Sequence, residues 1–582
     1  MIVSRKCSLF SSRACFVFKR LHLAMSEAPA SCKYGLWTNG LDFFFFQKIV
    51  ERFDVKFNPL GHWPPADGTI GTKDVHSDAK LRKADPDMLR TAFRRCHNFI
   101  HGNEGMPKDA AFWQFLRLIY CKMYDEGKNQ AERRFYAGYI PRERNGKTEY
   151  IDEQFDDEGR QKIRERIFLL FEDVKKAYSN LFDGTEKITL SERALAFMVA
   201  ELGKYDMRRA DVDAKGAAYQ EIVGTNLRGD RGQYFTPRSA IKLVVEMLDP
   251  QENEKILDPS CGTGGFLVES VNHQLRRFRK EDQEPEDTEE FLSELQRIKE
   301  YVAENVFGAD FDPFLVKATS MNMTMAANDP GNLFHMDSLS FPKGHLSGVK
   351  EANSMIPFGS IDVLMTNPPF GSDIPITDPA VLGEFNLAGK WDKNKETGVI
   401  SRGNGFQKAV APEVLFIERA IKWLKPGGRA GIVLPDGILG NPGDEYIRKW
   451  ILRHCWVLAS VDLPVETFIA EANVNILTSL LFLKKKTQEE IQAEDLGQET
   501  DYPVFMAVAE KVGVDRRGNT LYKRGPDGEE LLKDVTEVEQ VRVKGKMVER
   551  TLHRKEKILD NDLVEIGKAY RKFREENLEP GV

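Results

Sequence analysis

The sequence predicts an open α/β domain with a largely parallel sheet, preceded by an all-helical domain. Three observations carry that prediction. Residues 255–266 read as a strand running into a glycine-rich turn and a helix. Residues 361–365 form an apolar, branched run of the kind found in buried parallel strands, and it stops at two prolines. Between about 85 and 205 the apolar residues instead recur at helical spacing.

At 582 residues the chain is too long for one ordinary domain, and two or three are expected. Hydrophobic content of 41% and charged content of 30% are those of a globular protein, and no run of eighteen apolar residues exists to span a membrane. The net charge of −7 argues against a protein that grips DNA alone, because phosphate neutralisation supplies most of such affinity. Seven cysteines lie scattered with no CxxC pair or zinc spacing, which predicts a reducing cytoplasm and no structural metal.

The first 24 residues hold Arg5, Lys6, Arg13, Lys19 and Arg20 and no acid. That is the composition of a transit peptide, or of a reading frame begun upstream of a true start at Met25; the second reading is favoured, and disorder is expected. Residues 25–83 are expected to hold a truncated β-rich element of two strands (34–40 and 43–46) and a Pro/Gly-rich linker from 59. For 84–205 the stripes Phe112, Phe115, Leu116, Ile119, Met123 and Ile163, Ile167, Leu170, Phe171, Val174 predict helices. The α/β domain follows over 206–487. The charged tail, 488–582, is expected to hold a hairpin near 512–522 and a partner-docking amphipathic helix near 561–576.

Four segments of the α/β domain carry candidate chemistry. In the first, residues 232–237 read Gly-Gln-Tyr-Phe-Thr-Pro before a helix; Thr236 suits its cap and Pro237 its first position. Tyr234 and Phe235 are more often core staples than ligand walls. In the second, Gly262, Gly264 and Gly265 let a ligand approach the backbone at a helix start. The spacing is neither GxGxxG nor a phosphate loop, and Asp258 at the strand end favours a cationic ligand group such as an amino-acid ammonium.

The third segment ends a strand at Asp310, where a ribose-binding carboxylate is placed in such units, with Asp312 the better helix cap. Asp337 lies at a further strand end, suited equally to an adenine amino group or to a turn. The fourth is Asn367-Pro368-Pro369-Phe370. Two prolines forbid both helix and ladder, leaving a stiff loop with an amide, an available carbonyl and an exposed ring. Those groups suit a planar, amino-bearing base.

Taken in this order, the segments resemble the modification (methyltransferase) subunits of Type I restriction–modification systems, in the N6-adenine DNA methylase class. Leu-Lys-Pro-Gly-Gly-Arg-Ala-Gly-Ile-Val-Leu-Pro at 424–435 adds to the likeness, which covers about 85 to 490. It implies a Rossmann-like S-adenosylmethionine-dependent methyltransferase domain. The implied catalytic set is Asn367, Pro368, Pro369 and Phe370, with Phe370 stacked on a flipped adenine. The implied cofactor set is Gln233, Tyr234, Phe235, Thr236, Pro237, Asp258, Ser260, Gly262, Thr263, Gly264, Gly265, Asp310, Phe311 and Asp337, with no metal. Implied partners are DNA, a specificity subunit, a restriction subunit and a second copy of the chain. The alternatives are a protein-glutamine or RNA methyltransferase, or a non-catalytic DNA-clamping assembly subunit. Residues 371–408 show no periodicity and are expected to form a mobile lid, with plain surface disorder as the competing reading.

Overall fold

The computed structural model describes residues 32, 34–38, 43–51, 54–60, 82–83, 86–127, 133–144, 147–178, 181–182, 184–207, 215–216, 219, 236–279, 288–371, 374–394, 396–472, 475–498, 500–543 and 546–577. The leader at 1–24 and most of the 59–83 linker lie outside these residues. Two compact units divide the chain, Met1–Asn226 and Leu227–Val582, so the boundary falls about twenty residues beyond the expected one at 206.

In the first unit, strands Tyr34–Thr38, Phe43–Glu51 and Asp54–Leu60 form an antiparallel sheet, one strand more than expected. Helices Pro86–Glu104, Lys108–Gly127, Asp157–Ala177 and Glu192–Leu202 follow. Apolar spacing decides which faces they bury: Phe112, Phe115, Leu116 and Ile119, and Ile163, Ile167, Leu170, Phe171 and Val174, are all in the core. Asp156 and Ser191 cap the last two helices by accepting from the Gly159 and Ala194 N–H groups. The region is not all-helical. Strands Tyr139–Arg144 and Lys147–Asp152 pair as a hairpin, and they flank Asn145-Gly146, a strong short-range hairpin signal in the sequence.

The second unit is built on eight strands: β1 (Ile256–Asp258), β2 (Val306–Asp310), β3 (Asn332–His335), β4 (Ile361–Thr366), β5 (Leu424–Pro435), β6 (Cys455–Leu463), β7 (Thr478–Lys485) and β8 (Phe505–Val508). Their order across the sheet is β3-β2-β1-β4-β5-β7-β6-β8. Strands β3 to β5 run parallel, and β7 is antiparallel to both its neighbours. Helices α1 (Arg238–Leu248), α2 (Gly265–Phe278), α3 (Thr288–Asn305), α4 (Pro313–Ala327), α5 (Pro412–Trp423) and α6 (Glu445–His454) cross between strands or flank them. The core gathers Phe307, Phe334, Leu364, Trp423, Ile432 and Leu483. Each such burial is worth roughly 1.5–3 kcal/mol. Strand order reverses between β1 and β4, so the crevice outside their carboxyl ends is where an open α/β sheet binds its ligand.

Two expectations change in this unit. Residues 371–408 are not a structureless loop. Ile376 bridges to Val410, Leu382, Phe385, Leu387 and Ala388 enter the core, and Gly389–Lys393 pairs with Ile400–Phe406. Glu418 accepts from the N–H groups of Asn386 and Leu387, and Trp391 stacks on Tyr446 at 5.7 Å. These contacts tie the segment to the core; Lys395 lies outside the described residues.

The tail differs as well. Strand β8 extends the sheet, and Leu532–Val543 pairs with Lys546–Lys557 in a long hairpin that the charged sequence did not suggest. The smaller hairpin is present, with Val514 bridging to Thr520. The last helix, α7 (Leu563–Glu576), turns its apolar face inward. Tyr570 packs against Phe505 at 5.3 Å and Phe482 at 6.4 Å, and Arg571 pairs with Glu246 of α1. That apolar face is packed on its own domain.

Candidate active site

β1 carries Asp258 to the carboxyl edge of the sheet. The chain then turns through Ser260, Cys261, Gly262, Thr263 and Gly264 into α2, whose first residue is Gly265. Gly262 and Gly264 adopt left-handed φ angles of 56° and 81°, which side chains with a Cβ rarely take. At Gly264 an added Cβ would lie 2.7 Å from Thr319 Cγ2; at Gly262 it would meet open space. The turn is held from α4: the Thr319 hydroxyl donates to the Gly262 carbonyl at 2.7 Å, and the Asn322 amide to the Thr263 carbonyl at 2.9 Å. Neither residue was a sequence candidate. Their signal is weak, because they are two of several polar residues, with Lys317, Ser320 and Thr324, on a methionine-rich helix.

Gly264→Ala is therefore expected to weaken cofactor binding at this turn by about tenfold or more, with the fold retained. The basis is strain of roughly 1–3 kcal/mol at such a φ. Calorimetry beside a thermal melt checks it, and an unchanged Kd would free the turn of that role.

Asp258 is buried, and its Oδ1 accepts from the Ser260 N–H at 3.1 Å and the Thr366 hydroxyl at 3.0 Å. Burial, with some help from Asp310, outweighs these donors and pushes its pKa up to about 7. No cation among the described residues pairs with it. Asp310 ends β2 and accepts from the Gly262 N–H at 2.9 Å and the Asp312 N–H at 2.9 Å. Burial raises its pKa to about 6. Asp312, as expected, caps α4 by accepting from the Phe314 N–H. The ring of Phe311 is 67% exposed beside this strand end, open to a planar partner. Asp337 serves a turn, accepting from the Leu339 N–H and the Ser340 hydroxyl. Arg419 of α5, buried, donates to the Leu339 and Phe341 carbonyls and pins the same turn.

β4 is buried throughout and delivers Asn367 to the same edge. The Asn367 amide donates to Thr236 Oγ1 at 2.9 Å, and its Oδ1 is buried with no hydrogen-bond partner among the described residues. This corrects the cap assigned to Thr236. Pro237 occupies the cap position of α1, and the helix has no side-chain cap. The Thr236 hydroxyl instead reaches the amide 131 residues away. Gln233, Tyr234 and Phe235 lie outside the described residues. Pro369 is exposed but Phe370 is not: its ring is 6% exposed, against the expectation of an open one. Beyond it Gly371, at a φ of 121°, donates its N–H to Glu413 of α5 at 3.2 Å. Apolar area on an aromatic ring is worth removing from water even in a turn sequence, which explains the buried ring.

Cys261 is buried and its thiol is pushed well above the usual range by burial, so it is no nucleophile. No group of three or more His, Cys, Asp or Glu among the described residues could hold a metal. Among the same residues, no helix is long and apolar enough to cross a membrane.

A strand-end acid, a glycine turn, a second strand-end acid and an amide before two prolines thus converge on one edge. The model of the N-6 DNA methylase family matches residues 210–524, more than half the chain. The chain belongs to that family. N-6 DNA methylases are adenine-specific DNA methyltransferases, and S-adenosylmethionine is the methyl donor here. Similar proteins include the Type I restriction enzyme EcoKI methylase subunit of Escherichia coli (strain K12), 25% identical over 410 residues, which are 69% of this chain and 68% of that protein. The StySPI methylase subunit of Salmonella potsdam is 26% identical over the same shares. Among solved structures, a modification subunit of a putative type I restriction enzyme from Vibrio vulnificus YJ016 is similar at a TM-score of 0.45, with 18% identity over 76% of this chain and 87% of that one.

The methylase site fits its donor on chemical grounds. A buried carboxylate without a cation suits an ammonium, the open space at Gly262 admits a ligand against the backbone, and the exposed Phe311 ring suits a nucleobase.

Proposed function

We propose that the chain is the methyltransferase subunit of a Type I restriction–modification system, acting on N6 of an adenine flipped out of duplex DNA. The observation that carries the chemical part is the Asn367 side-chain oxygen, buried at the carboxyl end of β4 and unpartnered among the described residues. The relatives named for Type I methylase subunits support the system.

In this reading S-adenosylmethionine, when bound, supplies an electrophilic methyl on its sulfonium. Asp258 holds the ammonium, Asp310 the ribose and Phe311 the adenine ring of the donor. Ser260, Gly262, Thr263, Gly264 and Gly265 line it, and Asp337 borders it. Thr236 and Pro237 border the methionine end, and the resemblance assigns Gln233, Tyr234 and Phe235, outside the described residues, to the same cofactor set. The amino group of adenine is a poor nucleophile because its lone pair is delocalised into the ring. Asn367 Oδ1 and the Pro368 carbonyl accept its two N–H groups and favour a pyramidal nitrogen, while Pro369 keeps the loop stiff. Phe370 must turn out of its buried position to stack on the base. That contact is worth roughly 1–3 kcal/mol, comparable with the few kcal/mol that flipping costs. Positioning and charge stabilisation carry the rate, with no covalent intermediate.

The net charge of −7 supports dependence on partners: a specificity subunit that chooses the site, with a restriction subunit and a second copy of the chain completing a cytoplasmic complex. The helical domain, 84–205, is the proposed docking element. Methylation assays on purified chain with and without the specificity subunit test this. Transfer is expected only with it, and site-specific methylation by the chain alone would refute the dependence.

A further inference from the structure

We propose that Thr366 is a positioning residue that couples the cofactor carboxylate Asp258 to the backbone of the catalytic loop. The inference rests on the assignment of Asp258 and Asn367 just given and adds to it a residue outside the proposed catalytic and cofactor sets. Thr366 is the last residue of β4 and fully buried. Five residues, Ile361, Asp362, Val363, Leu364 and Met365, precede it, and its two nearest neighbours in that run are apolar. Packing alone would be served by valine, which has the same shape. The hydroxyl instead donates to Asp258 Oδ1 at 3.0 Å and lies 2.6 Å from Ser260 Oγ. Ser260 Oγ is in turn 3.3 Å from the Asn367 carbonyl oxygen. Two side chains, Thr366 and Ser260, therefore link the ammonium-binding carboxylate to the main chain of the residue that holds the base.

A hydroxyl has one proton, and that makes the chain directional. With Asp258 ionised, Thr366 must donate to it, and the Thr366 oxygen is left to accept from Ser260. The Ser260 proton is then drawn away from the Asn367 carbonyl. With Asp258 protonated, the carboxyl can donate to Thr366, Thr366 to Ser260, and Ser260 to the Asn367 carbonyl. A bound ammonium selects the ionised state and with it one orientation of the relay. Cofactor occupancy thereby sets the hydrogen bonding of the loop before the base arrives. Among the described residues, the titratable groups that face Asp258 are Asp310 from β2 and the Cys261 thiol of the glycine turn. Asp310 disfavours its ionisation and the Thr366 and Ser260 donors oppose it, while the Cys261 thiol, kept protonated by burial, carries no charge.

The test uses full-length chain for cofactor titrations between pH 5.5 and 8.5, and chain assembled with its specificity subunit for single-turnover transfer, with Thr366→Val, Thr366→Ser and Asn367→Ala. Loss of the hydroxyl in Thr366→Val removes a donor to the carboxylate. The midpoint of the pH dependence of cofactor binding is expected to move to higher pH, and transfer at saturating cofactor to fall about tenfold or more. Thr366→Ser keeps the donor and is expected to restore both. A residue that only packed would leave the midpoint where it is in Thr366→Val, and that result overturns the relay. If Thr366→Val is unstable, an unshifted midpoint and full transfer in Ser260→Ala overturn it equally. Should Asn367→Ala transfer normally, the site assignment itself fails; abolished transfer there with a wild-type Thr366→Val isolates the failure to the relay.

Discussion

Asn367→Ala is expected to lower methyl transfer by about 10²–10³-fold or more while leaving S-adenosylmethionine affinity nearly unchanged. The magnitude is that of removing one preorganised group aimed at charge developing in a transition state. The split follows from where the residue sits. Its Oδ1 is unpartnered among the described residues, its Nδ2 is held by Thr236, and the glycine turn proposed to meet the cofactor is held separately by Thr319 and Asn322. Truncation removes the acceptor for the base and leaves that turn alone. Single-turnover kinetics beside calorimetry measure the two quantities. Equal losses in both would assign Asn367 to cofactor binding, and a fully active variant would remove it from the chemistry.

The second large effect is on pH. Burial holds Asp258 at about 7, against an ordinary carboxylate value of 3.8, and Asp310 at about 6. A carboxylate raised on folding favours the folded state below its unfolded value, and that contribution fades as pH rises through the folded value. The free protein should therefore lose stability between about pH 4 and pH 7 from these two groups. Binding an ammonium reverses the preference, because only the ionised carboxylate pairs with it. Cofactor affinity is expected to weaken by up to about tenfold per pH unit below pH 7 and to level off above it. Asp258→Asn should flatten that profile and weaken binding at pH 8 by about 10–100-fold, as expected for a charge-assisted contact. A pH-independent affinity in the unmodified chain would place the ammonium elsewhere.

What the sequence disclosed and what it hid divide by the range of the interactions. The glycine turn, the strand-end acids Asp258 and Asp310, and the Pro-Pro stop after β4 are local consequences of backbone chemistry, and each lies where residue type alone put it. Thr236 shows the limit. A threonine before a helix is a good local cap, but a hydrogen bond to Asn367 competes with that role, and nothing within the segment reveals a partner 131 residues away. Phe370 fails for the same reason in reverse: turn residues around it suggest exposure, and burial is decided by tertiary packing. The 389–406 hairpin was missed because neither strand alternates polar and apolar residues, most of its residues being exposed. The last helix was legible as amphipathic, but amphipathicity does not say whose surface it covers, and Tyr570 covers its own sheet.

The central claim is that Asn367 presents adenine N6 in DNA to the methyl donor. Its most direct test is nucleoside mass spectrometry of DNA treated with labelled S-adenosylmethionine and the chain assembled with its specificity subunit. The account predicts label in N6-methyladenine alone, absent when Asn367→Ala is used. Label in methylcytosine, label retained by the variant, or label in protein glutamine with none in DNA would contradict it.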